Sequence, residues 1–203
     1  MTIKLPDPQT DGTMSVEKAI ASRRSHRVFS EKNIPLASLG QLLWAGQGIT
    51  GKHGRRAAPS AGALYPLELY LIVGAAEDLK QGIYRYQPTG HDLTLVARGD
   101  FRGELAAAAL RQSSIAESAV ILALAGVKDR TSKKYGRRAT QYIMLEAGHV
   151  GQNISLQAEA LGLGTVVIGA FDDDELKKLL RMEEEENPIS LMPVGYIRQN
   201  HPL

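Results

Sequence analysis

The chain has 203 residues, of which 43% are hydrophobic, and its 24 Lys and Arg residues nearly balance its 22 Asp and Glu residues, giving a formal net charge of +2. This charge gives no general attraction to nucleic acid or to an anionic membrane surface, so any anion site must be local. The sequence contains no cysteine, which excludes disulfides, thiolate metal ligands and cysteine nucleophiles. No stretch approaches the roughly 20 apolar residues of a membrane-spanning helix. We therefore expect a cytoplasmic protein.

Residues 1–14 contain two prolines, two aspartates and no apolar run. This composition predicts an extended N-terminal arm rather than a signal peptide or a membrane anchor. Residues 15–203 have the length of one domain that can bury a substantial core, and we expect them to form a single ligand-binding domain.

Hydrophobic periodicity and turn residues divide the first half of this domain. Ser15 is a predicted N-cap, and two glycines are expected to break the second helix. The predicted elements are a helix over Val16–Ser22, a helix from Leu36 to Gly46 and Gly48, a strand over residues 67–74, and a hairpin over residues 82–99 whose turn holds Pro88, Thr89 and Gly90.

In the second half, residues 118–126 (SAVILALAG) are almost entirely apolar, which is typical of a strand covered on both faces. The longest helical pattern runs over about residues 138–161, has apolar or small residues on more than one face, and is expected to end at Gly162 and Gly164. The other predicted elements are a helix over residues 101–110, a strand over 165–171, a helix capped by Asp172, a charged turn over 181–188 and a last strand over 190–197. Together they predict an α+β fold in which helices pack against a mostly antiparallel sheet.

The segment SRRSHRVFS (22–30) concentrates basic side chains in a chain of nearly balanced charge. Such a cluster is often only a solvated face. Here Ser25 lies between the arginines, and guanidinium groups beside a hydroxyl are a donor set that suits a phosphate monoester. Val28 and Phe29 are expected to anchor the segment to the core.

Two further stretches place small residues next to predicted strands. The loop PSAGA (59–63) leads into the strand at residues 67–74, and Gly169 and Ala170 lie between a predicted strand and the helix that follows. Small residues let the backbone approach a flat ligand closely. Each stretch is equally consistent with an ordinary turn.

Taken in order, these segments resemble the FMN-dependent nitroreductase family, and within it the dehydrogenases of thiazole- and oxazole-forming peptide maturation. The resemblance covers nearly the whole chain, from AIASRRSHRVFS through APSAGALYPLELYLI and YIMLEAGHVGQNISLQAEALGLGTVVIGAF to MPVGYI. It implies a nitroreductase-like fold with a long central helix at a homodimer interface. It also implies FMN as cofactor and NAD(P)H as electron donor.

The resemblance assigns a role to several residues. Arg23, Ser25 and Arg27 match the FMN phosphate and ribityl ligands, and Arg24 is their neighbour. The loop residues that match a segment reaching the flavin from the partner subunit are Pro59, Ser60, Ala61 and Gly62. The remaining assignments are Gly169 for a backbone N–H facing flavin N5, Ala170 beside it, Gln112 at the ribityl or ring edge, and Arg198 as the basic residue near the C-terminus. Many nitroreductases carry Asn where this sequence has Ala63, a departure that agrees with the peptide-maturation branch.

The sequence gives less support to metal binding and to acid–base catalysis by side chains. The five histidines show no metal-ligand spacing, and we expect no metal site. Lys134 and Tyr135, in SKKYGRRA, are candidates for removing a proton during azoline oxidation, with an exposed surface loop as the alternative.

The sequence thus predicts an FMN-dependent oxidoreductase that moves a hydride through flavin N5 between NAD(P)H and a small organic acceptor such as a nitroaromatic or a quinone. Two alternatives remain open. One is a peptide azoline dehydrogenase. The other is a non-catalytic nucleic-acid-binding module built on SRRSHR and GKHGRR, against which the near-neutral charge and the lack of interleaved aromatic residues both count.

Overall fold

The apolar run in the middle of the sequence forms strand β5 (Val120–Val127), at the centre of the sheet in a computed structural model that describes residues 1–198. Its side chains alternate between two hydrophobic clusters, one on each face of the sheet. Val120, Leu122 and Leu124 belong to one cluster, and Ile121, Ala123 and Ala125 to the other. The prediction of a strand covered on both faces is confirmed.

Within the described residues the sheet has seven strands in the order β1-β4-β3-β2-β5-β7-β6. The other six are β1 (Thr2–Lys4), β2 (Leu67–Val73), β3 (Gly82–Gln87), β4 (Asp92–Arg98), β6 (Leu163–Thr165) and β7 (Glu186–Tyr196). Every neighbouring pair is antiparallel. The predicted hairpin is β3–β4, and the predicted mostly antiparallel sheet is confirmed.

Helices cover both faces of this sheet. In residues 1–198 they are α1 (Val16–Ser22), α2 (Leu36–Gln47), α3 (Arg102–Ala108), α4 (Ser113–Ala116), α5 (Lys128–Tyr135), α6 (Ala139–Ala160) and α7 (Asp173–Leu179). Helices α2 and α6 contribute to one hydrophobic cluster, and α3, α4 and α7 to the other. The α+β class and the long central helix, α6, are therefore as the sequence predicted.

Several helix ends lie where capping residues in the sequence predicted them. The Ser15 side chain accepts a hydrogen bond from the Lys18 N–H, and Asp172 Oδ1 accepts one from the Glu175 N–H at 2.9 Å. Gly162, just after α6, has φ +69°, a left-handed conformation that glycine adopts without strain.

Three boundary predictions are wrong. Gly46 does not break α2 but lies inside it, where a Cβ would be 3.1 Å from Ile154 Cδ1, so the small residue lets α2 cross α6 closely. Gly164 lies within β6, and the strand predicted over residues 165–171 is only a single bridge between Ile168 and Leu191, because the chain leaves the sheet after Thr165.

The charged turn predicted over residues 181–188 is also shorter than expected. Glu186 begins β7 and is 1% exposed. Its carboxylate accepts hydrogen bonds from the Tyr70 hydroxyl at 2.5 Å and from Arg85 Nη2 at 2.6 Å. One glutamate of a run that looks solvated is thus buried in an ion pair.

Three elements had no clear sequence signal, namely β1, α4 and α5. Strand β1 pairs with β4 of its own chain through Ile3 and Leu93, and Leu5 is 2% exposed. Part of the predicted arm therefore packs on the sheet. The division into an arm at residues 1–14 and one domain at 15–203 stays a prediction.

Phe29 fixes the basic segment to this framework. The residue is 1% exposed and forms an antiparallel bridge with Ile197. Its side chain fills the space above Gly195, where a Cβ would lie only 2.8 Å from Phe29 Cβ. The expected anchor is present.

Replacing this anchor tests its contribution. Phe29→Ala is expected to lower the free energy of unfolding by about 3–5 kcal/mol, the range for truncating a buried Phe, as measured by urea denaturation. Ile197→Ala, at the other side of the same bridge and 38% exposed, is the matched control and should cost much less. Equal losses in the two variants would contradict the anchoring role.

Candidate active site

The basic segment after α1 runs along the edge of the sheet next to β6. Ser25 forms a parallel bridge with Thr165, and the His26 N–H donates to the Thr165 carbonyl at 3.0 Å. The approach is close, since a Cβ on Gly164 would lie 2.8 Å from His26 Cβ. The segment is therefore held by backbone hydrogen bonds and is not a free tail.

This edge opens onto a cavity of about 400 Å³, a size typical of ligand sites. One wall is formed by the basic segment, a second by the residues after β6, and the third by α6. The lining residues used below are Arg23, Ser25, Arg27, Thr165, Gly169 and, on α6, Met144, Gly148, Gly151 and Gln152. The structure thus brings together four of the predicted cofactor-binding residues, Arg23, Ser25, Arg27 and Gly169.

One residue that lines this cavity has a buried polar atom with no partner within the described part of the chain. Thr165 is 4% exposed, and its Oγ1 makes no hydrogen bond to any protein group. Such an atom is costly unless a ligand or water satisfies it. The two guanidinium groups and the Ser25 hydroxyl that line the cavity form a donor set that fits a phosphate monoester, which FMN carries.

Four other predicted residues do not line this cavity. Arg24 Nη1 donates to the carbonyls of Ala21 and Arg23, and Arg198 Nε donates to the Phe29 carbonyl at 3.2 Å. Gln112 Nε2 donates to the Ala170 carbonyl at 3.2 Å, so these two residues contact each other next to Gly169. Their proposed contacts with a cofactor stay predictions.

The predicted loop residues lie at a second cavity, of about 280 Å³, on the neighbouring face of α6. Its lining residues are Pro59, Ser60, Ala61, Tyr142, Leu145, Glu146 and His149. None of these lines the first cavity, so within one chain the loop and the basic segment are on different sides of α6.

Gly62, at the end of the loop, lies against Lys134 and Tyr135. A Cβ on Gly62 would be 2.9 Å from both Lys134 Nζ and the Tyr135 hydroxyl, and its φ of +63° also favours glycine. The two polar groups that the sequence selected thus converge on the backbone of the predicted cofactor loop.

Lys134 and Tyr135 belong to helix α5 and not to a loop, but Lys134 is exposed, so the assignment of a catalytic role stays a prediction. Arg130 fixes this polar helix to the sheet: its guanidinium forms an ion pair with Glu68 at 2.5 Å and donates to the Tyr65 carbonyl at 3.2 Å. The Tyr135 ring also packs edge-on against Tyr142, with 4.8 Å between ring centroids. The helix has one buried side chain, Thr131, which explains why no hydrophobic pattern revealed it.

Sequence reasoning missed Glu146, which is 2% exposed and lines the second cavity. Burial raises the pKa of its carboxyl group, an effect that the Ser60 hydroxyl and the charge of Arg56 oppose. A signal was available, because Glu146 falls on the apolar stripe of α6 between Ile143 and Val150, where a charged residue is unusual.

The rest of the described chain offers less chemistry. A cavity of about 480 Å³ lies beneath residues 9–16, against Trp44 and Leu156, and contains none of the predicted site residues. Residues 1–198 hold no cluster of three or more His, Asp or Glu side chains arranged for a metal ion. His201 lies outside the described residues. No helix among those described has the length and apolarity needed to cross a membrane.

Comparison with known proteins gives a consistent result. The model of the nitroreductase family matches residues 20–196. A protein of Methanocaldococcus jannaschii named as a nitroreductase is 40% identical over 195 residues, which span 96% of each chain. A trifolitoxin-processing protein of Rhizobium leguminosarum is 28% identical over 128 residues, spanning 56% of this chain and 32% of that protein.

Solved structures show the same fold. A Ralstonia eutropha structure named as a nitroreductase superimposes with a TM-score of 0.85 at 27% identity, over 98% of this chain and 90% of that one. The NADPH:FMN oxidoreductase of Vibrio harveyi, complexed with NAD+, gives a TM-score of 0.69 at 21% identity, over 93% and 71%. The family match and the archaeal relative together establish that this chain is an oxidoreductase of the nitroreductase family.

Proposed function

We propose that this oxidoreductase binds one FMN per chain and moves a hydride between NAD(P)H and a small organic acceptor such as a nitroaromatic or a quinone. The observation that carries the proposal is the convergence of Arg23, Ser25 and Arg27 on one cavity that Gly169 also lines. Family membership supports the same cofactor. The cytoplasmic location stays a prediction from composition.

Each of these residues has a distinct task. Arg23 and Arg27 offset the phosphate charge, and the Ser25 hydroxyl supplies a neutral donor. Gly169 offers a backbone N–H at the cavity wall, and the family resemblance assigns it to the reactive end of the ring. Bound FMN supplies the redox chemistry, accepting and returning a hydride, so the protein's work is to bind and orient.

Removing both arginines tests the phosphate site. Arg23→Ala combined with Arg27→Ala is expected to weaken FMN binding by about 100-fold or more, because a hydrogen bond to a charged group contributes about 1.5–3 kcal/mol. FMN titration of the apoprotein, followed by flavin fluorescence, measures the loss, and circular dichroism reports the fold.

The control is the pair Arg98→Ala and Arg181→Ala. Both arginines are exposed and lie far from β6 in the sheet: Arg98 ends β4, and Arg181 donates to the Val96 carbonyl of β4. This pair changes the net charge equally and should leave FMN binding intact. Full flavin occupancy in the Arg23/Arg27 variant would mean that the basic cluster is only a solvated face.

We further propose a homodimer in which α6 packs against its copy. The outer face of α6 is unusually apolar: Met144 and Leu145 are each 52% exposed, and Val167 beside it is 55% exposed. Gly148 has open space where a Cβ would be. A two-fold contact through this face would bring the cavity beside Pro59–Ala61 of one subunit to the Arg23 cavity of the other, completing both sites.

Gly148→Glu tests the α6 interface without disturbing the fold of the monomer, since no atom lies within 4 Å of the added Cβ. We expect sedimentation velocity to show a shift from dimer to monomer, because the two-fold contact would bring the added charge against its copy. Gly148 also lines the Arg23 cavity, so the oligomeric state and not the FMN content is the readout of this variant. Gly103→Glu, at another helical glycine with open space, is the matched control. A variant that remains dimeric would contradict the α6 interface.

A second candidate function is oxidation of peptide azolines, and Lys134 and Tyr135 favour it. Both groups reach Gly62 of the predicted cofactor loop, where a base that removes a substrate proton would be needed. Similarity to the trifolitoxin-processing protein is in line with this candidate.

Two variants distinguish azoline oxidation from quinone reduction. Lys134→Ala and Tyr135→Phe should lower the rate of azoline oxidation by about 100-fold, the contribution of a positioned base, while NAD(P)H oxidation with a quinone continues. Both rates are measured on FMN-loaded protein, with Lys133→Ala as the neighbouring control. Absence of azoline oxidation in the unmodified protein would exclude this candidate.

A further inference from the structure

Glu146 is a buried carboxyl group that faces the cavity beside Pro59 and Ala61. The side chain is 2% exposed, and its Oε1 has no hydrogen-bond partner among residues 1–198. A buried carboxylate oxygen without a partner is costly in its ionised form. The Ser60 hydroxyl and the Gln47 side chain lie near this carboxyl group and favour its ionised form, but burial outweighs them.

The charges around Glu146 come from several elements. Arg56, after α2, and His149, one turn further along α6, both favour the ionised form, but burial is the largest effect and raises the pKa of the carboxyl. Across the loop, Lys134 and Tyr135 lie against Gly62, and Tyr142 lines the same cavity. The group therefore holds its proton at a higher pH than an exposed glutamate does.

We propose that Glu146 is the acid of this active site, giving its proton to the two-electron acceptor that occupies the cavity beside Pro59 and Ala61. The inference rests on the proposed function for the source of the hydride. A quinone gains the hydride from reduced FMN at one oxygen and the Glu146 proton at the other, which yields the hydroquinone. Glu146 is left as a carboxylate and regains a proton from water.

The position suits this task better than a purely structural one. A structural carboxylate in a core is held by partners on both oxygens, as Glu186 is by Tyr70 and Arg85. Glu146 instead has only neutral groups as its near partners, the Ser60 hydroxyl and the Gln47 side chain, and its Oε1 makes no hydrogen bond within residues 1–198. Two buried glutamates of one chain thus have opposite surroundings, which is the contrast expected between an ion-pair anchor and a proton donor.

The test compares two acceptors in stopped-flow single turnovers of FMN-loaded protein reduced with NADPH. Menadione takes a hydride and a proton, whereas ferricyanide takes electrons alone. Glu146→Gln is expected to slow menadione reduction by about 100-fold, the lower range for a general acid, and to leave ferricyanide reduction unchanged. Glu159→Gln, on the same helix but outside both site cavities, should change neither rate.

The pH dependence of the menadione reduction rate provides a second test. In the unmodified protein the menadione rate should fall as the pH rises through the raised pKa of Glu146, because the acid is then lost, and Glu146→Gln should remove this decline. An unchanged menadione rate in Glu146→Gln would overturn the proposal. So would an equal loss with ferricyanide, which would reveal a structural role. Lack of bound flavin, seen beforehand in the visible spectrum, would instead overturn the proposed function.

A measurement on the apoprotein tests the protonation state independently of catalysis. Because the pKa of Glu146 is higher in the folded chain than in the unfolded chain, the folded state binds more protons between the two values, and stability falls as the pH rises through that window. The free energy of unfolding of the unmodified protein, relative to Glu146→Gln, should therefore decrease with pH above about 4.3, the ordinary glutamate value. A pH-independent difference would overturn the proposal.

Discussion

The backbone pairing between the basic segment and the edge of the sheet is the interaction on which the site depends. The guanidinium groups of Arg23, Arg24 and Arg27 repel one another, and on an unstructured chain these side chains would point away from one another. The bridge between Ser25 and Thr165, with Phe29 fixed over Gly195, holds the segment against β6 and β7. The energy that holds the basic cluster in place comes from backbone hydrogen bonds and a buried ring.

Helix α6 forms one wall of the cavity at this edge of the sheet. Its inner stripe packs in the hydrophobic cluster that includes Val150 and Ile154, which leaves two neighbouring faces to line two cavities. Gly46 on α2 allows the close crossing that keeps α6 in place. Because one rigid helix lines both cavities, their relative positions are set by the core rather than by flexible loops.

The sequence predicted the features that follow from local rules. Caps at Ser15 and Asp172, and the apolar run of β5, depend on residue type and spacing, and the structure agrees with them. Predictions were wrong where contacts between residues far apart in the sequence determine the structure. Glu186 is buried because Tyr70 and Arg85 lie on strands far along the chain.

The candidate site shows the same contrast between local sequence signals and long-range contacts. The family resemblance predicted that the basic cluster and Gly169 lie at one site, and they line one cavity, while their roles in cofactor binding stay predictions. Glu146 gave a sequence signal as a charged residue on an apolar stripe, but its surroundings become known only when the structure places the loop at Ser60 beside it. The convergence of Lys134 and Tyr135 on Gly62 likewise needs the tertiary contact that Arg130 makes with Glu68. The proposed cofactor-binding residues thus lie in short segments of the sequence, whereas the groups proposed to move protons are brought together by tertiary packing.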